Sequence, residues 1–201
     1  VDVKRRLAIV AENNMLPPES LQLPECELDP EKIKVIMISE VPPQDPEDGF
    51  WGKSARPNYM ETTFALFYKA GFGVKSMREI LDLGIYITTS VKTPKTGYMV
   101  SAEVIRAHLP LLEEELSMFP NLKVIMLMGD VAKKAMNMIA KKQTKKNVIP
   151  SEPTYKIRGN EYYFNNIRVF PSYIMTGGNI LIEKSKCDVI SEDIRRMAAL
   201  I

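Results

Sequence analysis

A single histidine, His108, and two cysteines, Cys26 and Cys187, are all the imidazole and thiol ligands that 201 residues offer a metal. That scarcity excludes a histidine-rich metal centre and a four-cysteine zinc or iron–sulfur site within this chain. It also excludes a histidine-dependent triad unless His108 itself serves. His108 stands in a helical segment just before Pro110, where a packed or surface imidazole is the expected role. The cysteines lie far apart and form no CxxC pair, which fits a reducing, cytoplasmic setting. No apolar run approaches the roughly 20 residues of a membrane span. The first residues, VDVKRRLAIVAENN, carry only a short apolar patch and no small-residue cleavage site, so they read as helix and not as signal peptide. A net charge of +2 gives no excess of one sign from which to argue nucleic acid. What remains, 45% hydrophobic and 26% charged residues, is globular in balance. The length suits one domain, 1–201, with a full core.

Four short apolar runs read as buried parallel strands: Val35–Ser39, Ile85–Thr88, Lys123–Met128 and Ile167–Pro171. Helical patterns separate them. Tyr59 to Ala70 sets Phe64, Phe67 and Tyr68 at helical spacing, and Gly71 stops it. Ser101 is an N-cap for AEVIRAHLPLLEEELSMF, in which Pro110 predicts a kink or a break. Asp130 is the expected cap of VAKKAMNMIAKK, and Ser191 or Asp188 of the last helix. The segment Pro153 to Asn165 reads as a β-hairpin around Arg158-Gly159-Asn160. Residues 1–30 form an N-terminal helix and a connector, whose four prolines fall between Pro17 and Pro30. Strands alternating with helices predict an α/β fold, three layers α/β/α around a central four-stranded parallel sheet.

The stretch KVIMISEVPPQDPEDGFWG, Lys34 to Gly52, carries the strongest functional signal. A buried strand empties into a loop bearing Glu40, Asp45, Glu47, Asp48, Phe50 and Trp51, and open α/β sheets present their sites at such carboxyl ends. A solvated loop with incidental acids is the plain alternative. At the same strand ends the sequence resembles the uracil-DNA glycosylase superfamily, and most of all its iron–sulfur, thermophile-type branch. Ser39-Glu40-Val41-Pro42-Pro43 stands where that branch has a GEAPG-type motif. Gly49-Phe50-Trp51-Gly52 is similar to its PFVG segment, and Ile85 to Pro94 to the strand YITNVVKCRPP. Val124 to Met136 resembles VIVALGNVAAKAL, and Val169-Phe170-Pro171-Ser172-Tyr173 the VFPTY that leads into an HPS motif. The five matches fall in order between Lys34 and Arg195.

The departures are specific. Thr89 stands where the family has the asparagine that reads a uracil edge, and Ile174 where it has the histidine of HPS. Thr93 and His108 replace cysteines of the cluster, and the amino-terminal cysteine pair has no counterpart. The resemblance therefore implies no iron–sulfur cluster, no metal and no cofactor. It implies a DNA glycosylase-type hydrolase acting on single- or double-stranded DNA away from any membrane, as a monomer in the cytoplasm. A superfamily member that binds nucleic acid or a nucleobase without chemistry is the second reading, and an unrelated α/β enzyme acting on a nucleotide or other small molecule the third.

Cleaving an N-glycosidic bond needs a carboxylate or oriented water near the sugar, donors for the departing base, and an aromatic face for an extruded base. Glu40 takes the first role by motif, with Asp45 and Asp48 as weaker candidates. The backbone N–H groups of Glu40 and Val41 are suited to a base carbonyl. Phe50 is the expected base platform, Trp51 the next, although either ring also serves as a cap on the core edge. Thr89 offers one hydroxyl where an asparagine pairs donor and acceptor. Ile174 donates nothing and fills the stack as an apolar wedge. The substitute donors are Thr176 and Asn179, in a Thr176–Asn179 loop that a plain turn explains equally well. The lysines of Lys133–Lys146 read mainly as a solvated face, and the methionines as core filler.

Overall fold

The computed structural model describes residues 1–201, the side chains of residues 178 and 179 excepted. Five strands, β1 (Val35–Ser39), β2 (Ile85–Thr89), β3 (Val124–Met128), β4 (Tyr162–Phe164) and β5 (Ile167–Ser172), form one sheet in the order β2-β1-β3-β5-β4. The four expected strands are present and mutually parallel. The fifth, β4, lies antiparallel on β5 and corrects the expected strand count.

The expected hairpin around Arg158-Gly159-Asn160 does not form. Thr154–Ile157 is a single helical turn, α6, and Tyr162–Phe164 pairs instead with β5, the next strand in the chain. The two residues of the turn between them, Asn165 and Asn166, both take positive φ, 50° and 65°. A two-residue hairpin demands such values to match strand twist, and asparagine tolerates them.

Alternation along the strands builds a core on each face. Ile36, Ile38, Tyr86, Ile125, Leu127 and Val169 point to one side, Met37, Ile87, Met126 and Phe170 to the other. The first core is covered by α1 (Val3–Asn13), α4 (Ala102–Ser117) and α5 (Asp130–Thr144). The second is covered by α2 (Asn58–Lys69), by α7 (Lys184–Ala198) and by Ile80 of the short α3 (Met77–Asp82). This is the expected α/β/α layering. Helix α4 continues through Pro110, so of the expected kink or break the break does not occur, and α7 starts about a turn before Asp188. No described helix is long and apolar enough to cross a membrane.

A charged knot sits inside the first core. Lys92 and Glu115 are both fully buried, with Nζ to Oε2 2.7 Å apart. The ammonium also donates to Thr88 Oγ1 and to the Thr89 carbonyl, at 2.6 and 2.7 Å. The second carboxylate oxygen accepts from Tyr86 and Thr88 at 2.7 and 2.6 Å. Every polar atom there has a partner, as burial requires. Burial, offset in part by Glu115, pushes the Lys92 ammonium below the usual lysine range. Burial and, secondarily, the Lys92 charge push His108 down, which keeps its imidazole neutral. Its Nδ1 lies 2.8 Å from the Val104 carbonyl, and its Nε2 is buried without a partner. His108 is thus a packed residue. Burial followed by the charge of Glu115 raises the Cys26 thiol to about 12, so it stays protonated and unreactive.

A second buried acid, Asp193 of α7, accepts from Ser172 Oγ and Arg158 Nη2, each at 2.8 Å. It ties α7 to the end of β5 and so anchors the loop that carries Ile174 and Thr176.

Candidate functional site

The strand order reverses direction between β1 and β3, and ligands of open α/β sheets enter at such a crevice. Glu40 follows β1 there, and Gly129 and Asp130 follow β3. They open on a cavity of about 430 Å³, lined also by Tyr155, Tyr173, Ile174 and Thr176.

Two contacts fix Glu40. Its Oε1 accepts from Val131 N at 3.1 Å, and its carbonyl accepts from Val91 N at 3.1 Å. The first contact corrects the expected capping of α5. Asp130 is the first helical residue rather than the cap, Gly129 precedes it without a side chain to offer, and the Glu40 carboxylate, 91 residues away in sequence, takes up an orphan N–H. Gly129 makes the approach possible. Its φ is +100°, and a Cβ there would stand 2.5 Å from Glu40 Oε1 and 2.6 Å from Ile174 Cγ1. Replacing Gly129 with Ala is therefore expected to displace the carboxylate and, at φ 100° and ψ 176°, a backbone region essentially restricted to glycine, to cost about 1–3 kcal/mol. A fall in urea midpoint together with loss of whatever activity Glu40 supports checks it.

Tyr59, at the start of α2, joins the acid to the loop after β5. Its hydroxyl donates to the Val41 carbonyl at 3.3 Å and is also within bonding reach of Thr176. Burial raises its pKa and the Glu40 charge adds to the rise, against the Thr176 bond, so Tyr59 remains a phenol. Sequence reasoning took Tyr59 only as the first residue of a helix. Its one available signal was its position shortly after the acidic loop.

A second cavity, about 440 Å³, lies on the β2 side of β1 and is lined by Pro42, Pro43, Phe50, Trp51 and Thr89 among others. Lys4 and Lys53, both paired with Glu25, border it. Phe50 is only 4% exposed and packs edge-on against Tyr59, with ring centroids 5.3 Å apart. Trp51 donates from Nε1 to the Ile87 carbonyl at 3.0 Å and lies 5.7 Å from the Tyr86 ring, which makes it a cap on the core edge.

The expected site residues thus divide. Glu40, Ile174 and Thr176 share the crevice cavity, whereas Phe50, Trp51 and Thr89 share the other. Val41 lines neither and packs on the core. The side chain of Asn179 lies outside what the structure describes. Asp45 and Asp48 are occupied in accepting from the backbone N–H groups of Glu47 and Asn58. Lys133 is buried against Asp130 and Thr154, and Lys142 pairs with Glu113. Among the described residues no group of three His, Cys, Asp or Glu is arranged to hold a metal ion.

No protein-family model matches the chain, and no curated protein matches it. Among solved structures, it is similar to the wild-type UNG crystal structure from Nitratifractor salsuginis. The TM-score is 0.45 at 13% identity, over 94% of this chain and 84% of that one.

Proposed function

We propose that the chain is a superfamily relative of the uracil-DNA glycosylases that hydrolyses an N-glycosidic bond in DNA, taking an extruded, damaged or deaminated base into the cavity between β1 and β3. The observation that carries this reading is Glu40 at the switch point, its carboxylate held by Val131 N, its carbonyl by Val91 N, and its side chain lining a cavity of about 430 Å³. The ordered motif series from Lys34 to Arg195 supports it.

In this mechanism the bond between C1′ and the base breaks, and the base leaves with the electron pair. Glu40 stabilises the cation-like sugar and accepts a proton from the water that adds to C1′. A hydroxyl at Thr176, beside the un-ionised Tyr59, donates toward the base oxygen on which charge develops. Tyr173 or Tyr155 offers the aromatic face in this cavity, since Phe50 is packed away against Tyr59. Uracil specificity is not part of the proposal, because Thr89 lacks the paired donor and acceptor of an asparagine and lines the other cavity.

The second reading, a nucleic-acid or nucleobase binding module without chemistry, is favoured by the division of the site over two cavities. Incubation with single- and double-stranded DNA carrying uracil, hypoxanthine or xanthine separates the two. The hydrolase reading expects free base and alkali-labile abasic sites from at least one substrate. Binding without any product, at high protein concentration, leaves the module.

A further inference from the structure

Three tyrosines in loops or turns around the carboxyl end of the sheet each have a lysine ammonium over the ring. Lys95 Nζ lies 5.4 Å from the Tyr98 centroid, Lys156 Nζ 6.0 Å from that of Tyr155, and Lys186 Nζ 5.7 Å from that of Tyr173. The pairs come from three separate segments: the loop after β2, the single turn α6, and the loop after β5 with the start of α7. All three are brought to the carboxyl end of the sheet. Tyr155, Tyr173 and Lys186 line the cavity that Glu40 faces. The Tyr98 loop is pinned to the loop after β1, where Gln44 Nε2 donates to the Lys95 carbonyl at 2.7 Å.

Tyr173 is half-buried against the second core, but the other two rings are not core residues. Tyr98 is 92% exposed and Tyr155 67% exposed, which is costly surface for a residue with no packing role. Lys186 shares its charge with Glu183, whereas Lys95 and Lys156 have no acidic partner among the described residues. The arginines that stack on aromatics, Arg168 on Tyr163 and Arg168 and Arg196 on Phe170, belong instead to the β4–β5 side of the sheet.

An aromatic face accepts an unpaired base, and an adjacent ammonium answers the neighbouring phosphate. A duplex keeps its bases stacked on one another and gives an exposed tyrosine nothing to cover. We infer that Tyr98, Tyr155 and Tyr173, each with its lysine, form a track for single-stranded nucleic acid leading to the crevice, so that the protein's substrate class is the unpaired strand. This rests on the reading of the crevice as a nucleic-acid site, but it concerns binding and not hydrolysis.

The test is fluorescence anisotropy with a labelled 12-nucleotide thymidine strand and the corresponding duplex, at two salt concentrations, for the intact chain and for Tyr98→Ala, Tyr98→Phe and Tyr155→Ala. The expected result is at least tenfold tighter binding of the single strand, weakened about tenfold by each alanine change, retained by Tyr98→Phe, and reduced by salt. Equal affinity for strand and duplex, indifference to Tyr98→Ala, or no binding to either overturns the inference. Tyr98 is so exposed that its replacement does not endanger folding. Tyrosine-dependent strand binding without base release would overturn the hydrolase proposal and leave this one standing. Base release with no strand preference would do the reverse.

Discussion

Replacing Lys92 with Met is expected to lower the unfolding free energy by about 3–5 kcal/mol, the cost of stranding a buried charge. Glu115 would keep its bonds from Tyr86 and Thr88 but lose the only cation that faces it among the described residues, in a core where these side chains are all but completely buried. The urea midpoint at unchanged slope measures the loss. The double change Lys92→Met with Glu115→Gln is expected to recover most of it, since the amide oxygen still accepts from both hydroxyls and no charge remains. If the double variant is no more stable than the single one, the loss comes from packing around Lys92 and not from electrostatics. The effect should also reach the crevice. Lys92 holds the Thr89 carbonyl, and the turn after it holds β1, with Ser90 N and Val91 N donating to the carbonyls of Ser39 and Glu40.

Glu40→Gln separates the chemical role of the acid from its structural one. Glutamine still offers an oxygen to Val131 N, so stability should change by less than about 1 kcal/mol, whereas Glu40→Ala should lose a helix cap worth ~0.5–2 kcal/mol. The amide cannot take a proton from water or balance a sugar cation. Base release by Glu40→Gln is therefore expected to fall ~10²–10⁴-fold, with DNA affinity little changed. Single-turnover kinetics on the best substrate of the lesion panel provides the measurement. A variant retaining more than a tenth of the rate would mean that Glu40 is a cap and nothing else.

The parallel strands were legible almost to the residue because their signal is local. Val35–Ser39 and the other three are short, mainly apolar runs, with Arg168 the one charge inside a strand, and a run buried on both faces needs no partner to be recognised. Strand β4 was not, because Gly159-Asn160 is the louder turn signal and Asn165-Asn166 the one the backbone uses. Glu40 could be found from its place after a strand, but its bond to Val131 spans 91 residues and leaves no local mark. The same holds for Phe50, whose ring packs against that of Tyr59. Lys92 gave no warning at all. Glu115 did, as an acid at the spacing of Ile105, Leu109 and Leu112 on the buried side of α4, where an apolar residue belongs.

The short antiparallel strand bears on how copies of this chain meet. One margin of the sheet is β2, buried along its whole length, and the other is β4, three residues that end in a tight reversal. Neither margin leaves a long free ladder of backbone donors and acceptors for a neighbouring molecule to extend. Growth into fibrils by adding strand to strand thus has little to build on at either border.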